Sequence, residues 1–450
     1  MLLVGIDWAD DHHDICLLAG STDRADESRV PIPERFQIAH TADGFNELST
    51  RLRKRESVPG QILIAIETPH GLLVNELVRQ GYVVYAIAPK SVSRYKDRHQ
   101  SSSAKDDKRD ALALAHLLRT DRERFRPLAL LPDEYRLLDA LSKDLRQLIE
   151  DRTRLLNRLK AALKDYYPQA LDLFSELDGA IGLAFLKAYP EPASLSSLSE
   201  KQWKGFCTKQ HYTCPKQIPH LYRKLVKAAP QADTVAVQSG KRHMLALREQ
   251  LALLRKQIDE YERRIQTLFG SMTAHQNLPS LPGVGPRLAP ELAAILGPSP
   301  INKPAAPVET KTTDEIAQEP DGQAKQAEQN VQPFAARFHS GNDLARLGGC
   351  SPVTRQSGKY RNVLYRRACD RGLRRTLRDW TQACIRRSAW ASAYYDHARS
   401  KGRRHETTLR NLACKLLDIL YKLWLTGEEY DEQRHIQQLK THNVEWAMNL

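Results

Sequence analysis

Two long stretches of the chain repeat apolar residues at alternating spacings of three and four. The first stretch runs through Leu138, Leu141, Leu145, Leu148, Arg152, Leu155, Leu159 and Ala162, and the second through Met244, Leu247, Leu251, Leu254, Ile258, Tyr261, Ile265 and Leu268. This spacing places an apolar stripe along one side of a helix, and another apolar surface must cover it. We therefore predict two long coiled-coil helices that pair with each other or with another subunit. Arg152 is the charged residue within these stripes, and we expect it to set register or partner choice.

The first 125 residues alternate the sequence signals of strands and helices. Short apolar runs typical of buried strands occur at Leu2–Trp8, 61–67 and 82–88, and helical patterns follow the second and third of them. Residues 13–19 and 35–40 fit two further strands that continue from the first as a meander. Three early strands followed by strand–helix units predict an α/β domain with a mixed sheet.

Positive charge is concentrated toward the C-terminus. The chain has a formal net charge of +14, and between Phe334 and Tyr430 there are 20 Lys and Arg against 8 Asp and Glu, a net of +12. Most of these cations are arginines, whose guanidinium groups bind phosphate through paired hydrogen bonds. Such a surface suits a nucleic acid, and the alternative is a solvated basic face without a ligand.

The seven cysteines are odd in number and widely scattered, which argues against a disulfide framework and for a reducing compartment. Residues 1–7 lack the features of a signal peptide, and no segment approaches the roughly 20 apolar residues that cross a bilayer. We therefore expect a cytoplasmic protein. Cys207, His211, Cys214 and His220 have the residue types of a zinc site, but their spacing fits no common zinc finger, so the question of metal binding there stays open.

Four carboxylates occupy positions suited to a metal site. Asp7 lies in the first apolar run, Glu67 ends the run at 61–67, and Asp107 and Asp110 are three residues apart on a predicted helix, where they share a face. A carboxylate in a buried strand is costly unless it is paired or binds a cation. Oxygen ligands favour Mg²⁺ or Mn²⁺, and two such ions can stabilise a phosphoryl transfer, so we predict that all four residues bind metal and are catalytic.

Each of these carboxylates also has a structural alternative when it is considered alone. Asp7 would then cap its strand, and Glu67 would pair with Lys105. Asp107 and Asp110 would belong to a solvated helix face.

The residues around the carboxylates resemble a known family. The run Lys105-Asp106-Asp107-Lys108-Arg109-Asp110-Ala111 resembles the Lys-Thr-Asp-x-x-Asp-Ala motif of the DEDD transposases of insertion sequence family 110, and Val4-Gly5-Ile6-Asp7 and Ala65-Ile66-Glu67 resemble that family's first two acidic positions. The resemblance implies a RuvC-like nuclease domain with the RNase H fold. Asp106 stands where the family has Thr. Alignment of the motif therefore assigns the last two acidic positions to Asp107 and Asp110, and Asp106 stays an alternative to Asp107.

A second part of the resemblance lies near the C-terminus. The segment Gln356-Ser357-Gly358 is similar to one in the family's C-terminal transposase domain, where the serine attacks DNA, and this implies that Ser357 is the nucleophile. From the residues alone, a turn serine before glycine is the commoner interpretation, and Ser351 and Ser340 are weaker candidates for the nucleophile. The side chains predicted to bind nucleic acid are Arg355, Lys359, Arg361, Arg366, Arg367, Arg371, Arg374 and Arg375.

Together these features divide the chain into six parts. The predicted parts are a RuvC-like DEDD nuclease domain at 1–125, a helical coiled-coil region at 126–275, a helix-hairpin-helix-like start of the transposase domain at 278–297, a linker or insertion at 298–333, a mainly α serine transposase domain at 334–430 and a tail at 431–450. The Pro-Gly-Val-Gly-Pro turn at 282–286 could hold a DNA phosphate or be an ordinary turn. The linker composition predicts disorder.

The resemblance implies a transposase or recombinase that cuts and rejoins DNA to mobilise an insertion sequence. It also implies a structured non-coding bridge RNA that pairs with donor and target DNA, and a homo-oligomer, either a dimer or a tetramer. Three alternatives stay open. A Piv-type DNA invertase shares both motifs, a Holliday-junction nuclease uses only the carboxylates, and a packaging protein needs only the basic surface.

Overall fold

The computed structural model describes residues 1–19, 33–99, 107–171, 173–227, 232–299, 338–358, 360–448 and 450, and for Asp107 and Lys108 it describes the backbone alone. These residues fold into two compact units, one within Met1–Leu131 and the other from Pro132 onward. The predicted linker at 298–333 lies outside the described residues except for its first two positions, and so do Asp106 and Lys359.

A five-stranded sheet forms the centre of the N-terminal unit. Its strands are β1 (Leu2–Trp8), β2 (His12–Ala19), β3 (Glu34–Ala39), β4 (Ile62–Ile66) and β5 (Val83–Ala86). They lie in the order β3-β2-β1-β4-β5, with β2 antiparallel to β1 and β3, and with β4 parallel to β1 and β5. The predicted mixed sheet is confirmed, and this order and orientation of strands is that of an RNase H-like fold.

Four helices cover the two faces of this sheet: α1 (Ala42–Arg55), α2 (Leu72–Arg79), α3 (Pro89–His99) and α4 (Asp107–Asp121). Successive side chains of a strand point to opposite faces. Val4 and Ile6 therefore share a core with apolar residues of α1 and α2, whereas Leu3 shares a core with Leu114 and other residues of α4. The sheet has one hydrophobic core on each side, and α4 belongs to the side that carries the odd-numbered residues of β1.

The two stretches with 3-4 spacing form the two longest helices, α5 (Asp133–Tyr166) and α9 (Thr234–Gly270). Leu159 and Leu163 near the end of α5 share a core with Met244 near the start of α9, so the two helices pack antiparallel. This is one of the two arrangements that the sequence allowed, and pairing with another subunit stays a prediction. Three shorter helices, α6 (Ala180–Ala188), α7 (Glu200–Lys209) and α8 (Ile218–Leu225), lie between them in sequence.

Arg152, the charged residue in the first apolar stripe, is explained by a buried partner. Its side chain forms an ion pair with Asp178, which is almost fully buried, and Arg255 of α9 donates a hydrogen bond to the Asp178 backbone carbonyl at 3.2 Å. A buried carboxylate is costly without a partner. Arg152 therefore neutralises a residue of the segment between the two long helices.

The C-terminal part of the second unit is mainly helical, as predicted. Its helices are α10 (Leu288–Leu296), α11 (Gly341–Leu347), α12 (Arg371–Arg387), α13 (Ala389–Ser400), α14 (His405–Thr426) and α15 (Glu432–Thr441). Between α11 and α12 lies a hairpin of two antiparallel strands, β6 (Val353–Ser357) and β7 (Tyr360–Leu364), which the sequence did not predict. Within the described ranges, no helix is long and apolar enough to cross a membrane.

The Pro-Gly-Val-Gly-Pro turn before α10 packs into this helical core. Gly283 has a φ of +79°, and an added Cβ there would lie 2.7 Å from the backbone nitrogen of Cys384 in α12. The indole nitrogen of Trp380 donates to the Pro282 carbonyl at 3.0 Å. These contacts favour a structural role for the turn over the alternative of holding a phosphate.

Residues 431–450, predicted as a tail, contain α15 and pack against α13. The carboxylate of Glu432 accepts hydrogen bonds from the Ser388 hydroxyl and the Ala389 backbone amide, both at 2.9 Å. The ring of His435 also lies edge-on to Trp390, with 4.8 Å between the ring centroids. This segment is therefore part of the folded unit.

Candidate active site

Two of the predicted carboxylates lie side by side at one edge of the sheet. β1 and β4 are parallel neighbours with Ile6 opposite Ile66, so the next residues, Asp7 and Glu67, adjoin each other. Both side chains point toward the face that α4 covers, because residues two and four positions earlier in each strand lie on that face. Asp7 and Glu67 are half-buried, and burial raises the pKa of Glu67 above its ordinary value while the Lys96 ammonium opposes this shift.

A close contact between β1 and α4 brings the third carboxylate to this edge. A Cβ added to Gly5 would overlap the carbonyl oxygen of Ala111 and lie 2.7 Å from the backbone nitrogen of Ala115. Only glycine allows the helix backbone to approach the strand so closely. Because Ala111 directly follows Asp110, this contact fixes Asp110 beside the strand that carries Asp7. Asp107 begins the same helix, and its side chain lies outside the described residues.

Lys96 of α3 contributes a positive charge to this cluster, and the sequence analysis missed it. Its ammonium forms an ion pair with Oδ1 of Asp110, and its charge also acts on Glu67. Oδ1 of Asp110 is otherwise buried without a hydrogen bond in the described structure. A lone lysine in the charged segment at 94–99 carries no sequence signal that separates it from solvated neighbours, so only the fold reveals its position.

Asp14 is a further carboxylate beside Asp7. It lies in β2 directly opposite Asp7, is buried, and accepts hydrogen bonds from the Gln37 amide at 3.0 and 3.2 Å. Its place in β2 is the signal that could have identified it, because Cys16 and Leu18, two and four residues later, share its face and belong to the core. Asp14 therefore adds negative charge next to Asp7, and Gln37 holds its carboxylate in place.

The donor atoms of these residues are of the type that a hard divalent cation prefers. Asp7, Glu67 and Asp110 offer only oxygen donors, Oδ1 of Asp110 has no hydrogen bond from a described residue, and the Lys96 ammonium already lies against it. Among the side chains that the structure describes, no three His, Cys, Asp or Glu form a group able to hold a metal, and Asp107 is outside that set. Metal binding by the four carboxylates therefore stays a prediction.

The possible zinc ligands in the helical unit find no support. Cys207, His211, Cys214 and His220 are all described, and they do not form a group that could hold a metal. Cys207 is buried in the core beside α5 and α9, and burial raises the pKa of its thiol to about 11. A thiol in such surroundings stays protonated, which disfavours metal binding.

Ser357 lies at the tip of the β6–β7 hairpin, where it is exposed. It is opposite Tyr360, and only Gly358 and Lys359 connect the two strands. Gly358 has a φ of +54°, a left-handed conformation that glycine adopts readily in such short connections. Residues opposite and diagonal to one another share a face, so Ser357 lies on the same face as Tyr360, Arg355 and Asn362.

The predicted nucleic-acid-binding cations fall into two groups. Arg355, Arg361, Arg367, Arg371 and Arg375 are exposed, and Arg375 also forms an ion pair with Glu150. Arg366 and Arg374 are partly buried and donate to the backbone carbonyls of Ser351 and Arg366 at 3.1 and 2.6 Å. Lys359 lies outside the described residues. The exposed group is the one available to a nucleic acid.

Two family models of known proteins match this chain. Residues 4–168 match a transposase model named for the DEDD enzymes of IS110, and residues 330–396 match the model described as the IS116/IS110/IS902 transposase family. The chain belongs to this transposase family. The recognition from the acidic and serine motifs is confirmed, and so is the enzyme class, a DNA transposase.

One relative of this transposase aligns along nearly its whole length and another along less than half of it. The "Mini-circle putative transposase for IS117" of Streptomyces coelicolor is 28% identical over 96% of this chain and 95% of that protein. The "Putative transposase y4uE" of Sinorhizobium fredii is 34% identical over 44% of this chain and 53% of that protein. RuvC of Thermus thermophilus matches 28% of this chain and its own full length with 16% identity and a TM-score of 0.21. The fold assignment follows from the strand order and not from this match.

The contact at Gly5 generates a prediction about stability. We expect Gly5→Ala to lower the free energy of unfolding by about 3 kcal/mol or more, because the added methyl group meets helix backbone that cannot move independently. Gly60→Ala is the matched control, since nothing lies within 4 Å of an added Cβ there, and its effect should stay within about 0.5 kcal/mol. Urea denaturation of both variants measures the difference, and equal stabilities would contradict the contact.

Proposed function

We propose that this transposase cuts and rejoins DNA through a covalent bond to Ser357, with metal bound by Asp7, Glu67, Asp107 and Asp110 taking part in the same reaction. One observation carries this proposal: the segment around Ser357 has cations but no base. Between Asp343 and Asp370 there is no Asp, Glu or His. A serine hydroxyl needs activation to attack phosphorus near neutral pH. The activating group must therefore come from outside this segment, and we propose the carboxylate cluster for that role.

The chemical step conserves the energy of the broken phosphodiester. The Ser357 oxygen forms a bond to phosphorus, the bond from phosphorus to the 3′-oxygen breaks, and the serine proton is transferred to that leaving oxygen, which becomes a 3′-hydroxyl. Reversal with a different 3′-hydroxyl rejoins the DNA and releases Ser357. The exposed Arg355, which shares a face of the hairpin with Ser357, binds the phosphate and neutralises its charge in the transition state.

The metal is assigned to the carboxylate edge of the sheet. When bound, Mg²⁺ or Mn²⁺ supplies Lewis-acid stabilisation of the oxygens at the reacting phosphorus. Asp7, Glu67 and Asp110 provide the ligands from two adjacent strands and one helix. Gln37 orients the neighbouring Asp14, and Lys96 supplies a counter-charge beside Asp110. The family resemblance implies composite sites across subunits, so we propose that the carboxylates of one subunit and Ser357 of another meet at one phosphate.

The alternatives predict different behaviour. A Holliday-junction nuclease needs the carboxylates alone and leaves the serine on an exposed hairpin without a role. A Piv-type invertase would use the same residues, and inverted repeats around its gene would identify it. A packaging protein needs no carboxylate cluster. The cytoplasm of a bacterium is the compartment we propose, since DNA is the substrate.

Replacing a metal ligand should abolish strand cleavage. We expect Asp110→Asn, which keeps the shape of the side chain but removes its charge, to lower cleavage of a plasmid carrying the element by at least about 100-fold, because a ligand is lost. Nucleic-acid affinity should change by less than about twofold, since the basic surface remains. Asp106→Ala is the control and should retain most activity. Cleavage at full rate in excess EDTA would rule out the metal.

The serine assignment predicts a covalent protein–DNA adduct. A suicide substrate with a nick near the cleavage site should trap a phosphoserine bond, through the 5′-phosphate, and mass spectrometry should locate it on the peptide that contains Ser357. Ser357→Ala should bind DNA normally and form no adduct, whereas the control Ser351→Ala should form it. Recombination by Ser357→Ala would favour the nuclease-only alternative. An adduct at Ser351 would identify Ser351 as the nucleophile instead.

We further propose a bridge-RNA-guided homo-oligomer, a dimer or tetramer. The resemblance to the family and the excess of positive charge support the RNA, and the same resemblance supports the oligomer. Sequencing of RNA that co-purifies with the transposase should recover one structured transcript from beside its gene, and light scattering should give the mass of an oligomer. A monomer that recombines DNA without RNA would contradict both.

A further inference from the structure

The β6–β7 hairpin exposes side chains that nothing in the described structure covers. None of its described residues is buried, and Tyr360 and Val363 are 69% and 58% exposed. A two-stranded hairpin without a hydrophobic face against a core is marginally stable in water. The hairpin therefore has the character of an element that gains order from a partner.

The charge of the hairpin identifies the class of that partner. Residues 353–364 contain Arg355, Lys359 and Arg361 and no acidic residue. Gln356 and Asn362 add side-chain amides to the same segment. Arginine and lysine with interspersed aromatic and amide side chains are typical of nucleic-acid surfaces. We therefore take the partner to be a nucleic acid.

The two tyrosines of this segment differ in what covers their rings. The guanidinium groups of Arg374 and Arg410 lie over the Tyr365 ring, 4.5 and 4.8 Å from its centroid. For Tyr360, the described contact is a hydrogen bond at 3.5 Å from the Asn362 amide to the phenol oxygen, and no described cation or aromatic ring stacks on it. Tyr365 thus has internal stacking partners, whereas none of the described residues stacks on the Tyr360 ring.

We propose that Tyr360 is a stacking platform for an unpaired DNA base beside the phosphate that Ser357 attacks. This rests on the proposed role of Ser357. Tyr360 is directly opposite Ser357, and such pairs have Cβ atoms about 4.5–5.5 Å apart on the same face of a hairpin. A base held on that ring fixes its own sugar and phosphate near the serine hydroxyl. Stacking on an aromatic ring accepts any base, so the platform positions a nucleotide without selecting sequence.

The test uses the full-length Ser357→Ala transposase, which keeps the DNA uncleaved. The probe is a DNA duplex with a short gap of unpaired thymines, in which one thymine is replaced by photoreactive 5-iodouracil. We expect crosslinking to the peptide that contains Tyr360, and gapped DNA should bind more tightly than fully paired duplex. Tyr360→Ala should weaken binding of the gapped probe by about tenfold, in line with the loss of one base stack.

Two matched variants separate the ring from its surroundings. Tyr360→Phe keeps the ring and should retain the crosslink and the preference for the gap. Val363→Ala removes an exposed apolar side chain from the opposite face of the same hairpin and should leave both unchanged. If Tyr360→Phe and Tyr360→Ala lose the crosslink and the preference for gapped DNA to the same extent, the hydroxyl is responsible and the stacking platform is wrong. Equal affinity for gapped and paired DNA would also overturn it, in favour of insertion into a groove.

The outcome is separable from that of the proposed serine chemistry. If the covalent adduct forms on a residue other than Ser357 but the crosslink still falls on Tyr360, the ring binds DNA and only the nucleophile is misassigned. If the adduct forms on Ser357 and the crosslink falls elsewhere, the serine chemistry stands and the platform is wrong.

Discussion

The contact between the backbone of β1 and the backbone of α4 determines where the carboxylates of the N-terminal unit lie. Gly5 has no side chain, so the peptide of Ala111 reaches the strand directly, and Asp110 arrives at the edge where Asp7 and Glu67 adjoin. A larger residue at Gly5 would move the helix outward along with its aspartates. The spacing of the cluster therefore depends on a missing side chain two residues before Asp7, in addition to the acidic residues themselves.

This arrangement places several carboxylates on neighbouring elements of one sheet and the helix that covers it. Asp7, Asp14, Glu67 and Asp110 come from three strands or strand ends and one helix, and burial raises the pKa of Glu67. Lys96 and the Gln37 amide stabilise two of these carboxylates, through an ion pair with Asp110 and hydrogen bonds to Asp14. Under the proposed function, a divalent cation would stabilise more of them, because its charge acts on several carboxylates at once.

Sequence patterns predicted the parts of this fold that bury apolar side chains at regular spacing. The strand of Leu2–Trp8 and the stripes of α5 and α9 are visible because periodic burial leaves a periodic sequence. The β6–β7 hairpin was missed because its strands bury neither face, so no alternation of apolar and polar residues marks them. Lys96 and the Arg152–Asp178 pair were missed for a different reason: a single charge acquires meaning from a partner distant in sequence, and periodicity carries no information about that partner.

The two candidate sites differ in how their geometry is fixed, and the difference suits the division of labour that we propose. The carboxylates are held by strand register and by a helix packed without intervening side chains, so their positions are set before any ligand binds. Ser357 is at the tip of a hairpin that lacks a core, in a segment without a base of its own. A nucleophile on such an element reaches its attacking geometry only when the partner orders it, and it meets an activating group only when a second site is assembled. Uncontrolled cleavage would then be limited by two conditions that DNA binding and assembly satisfy together.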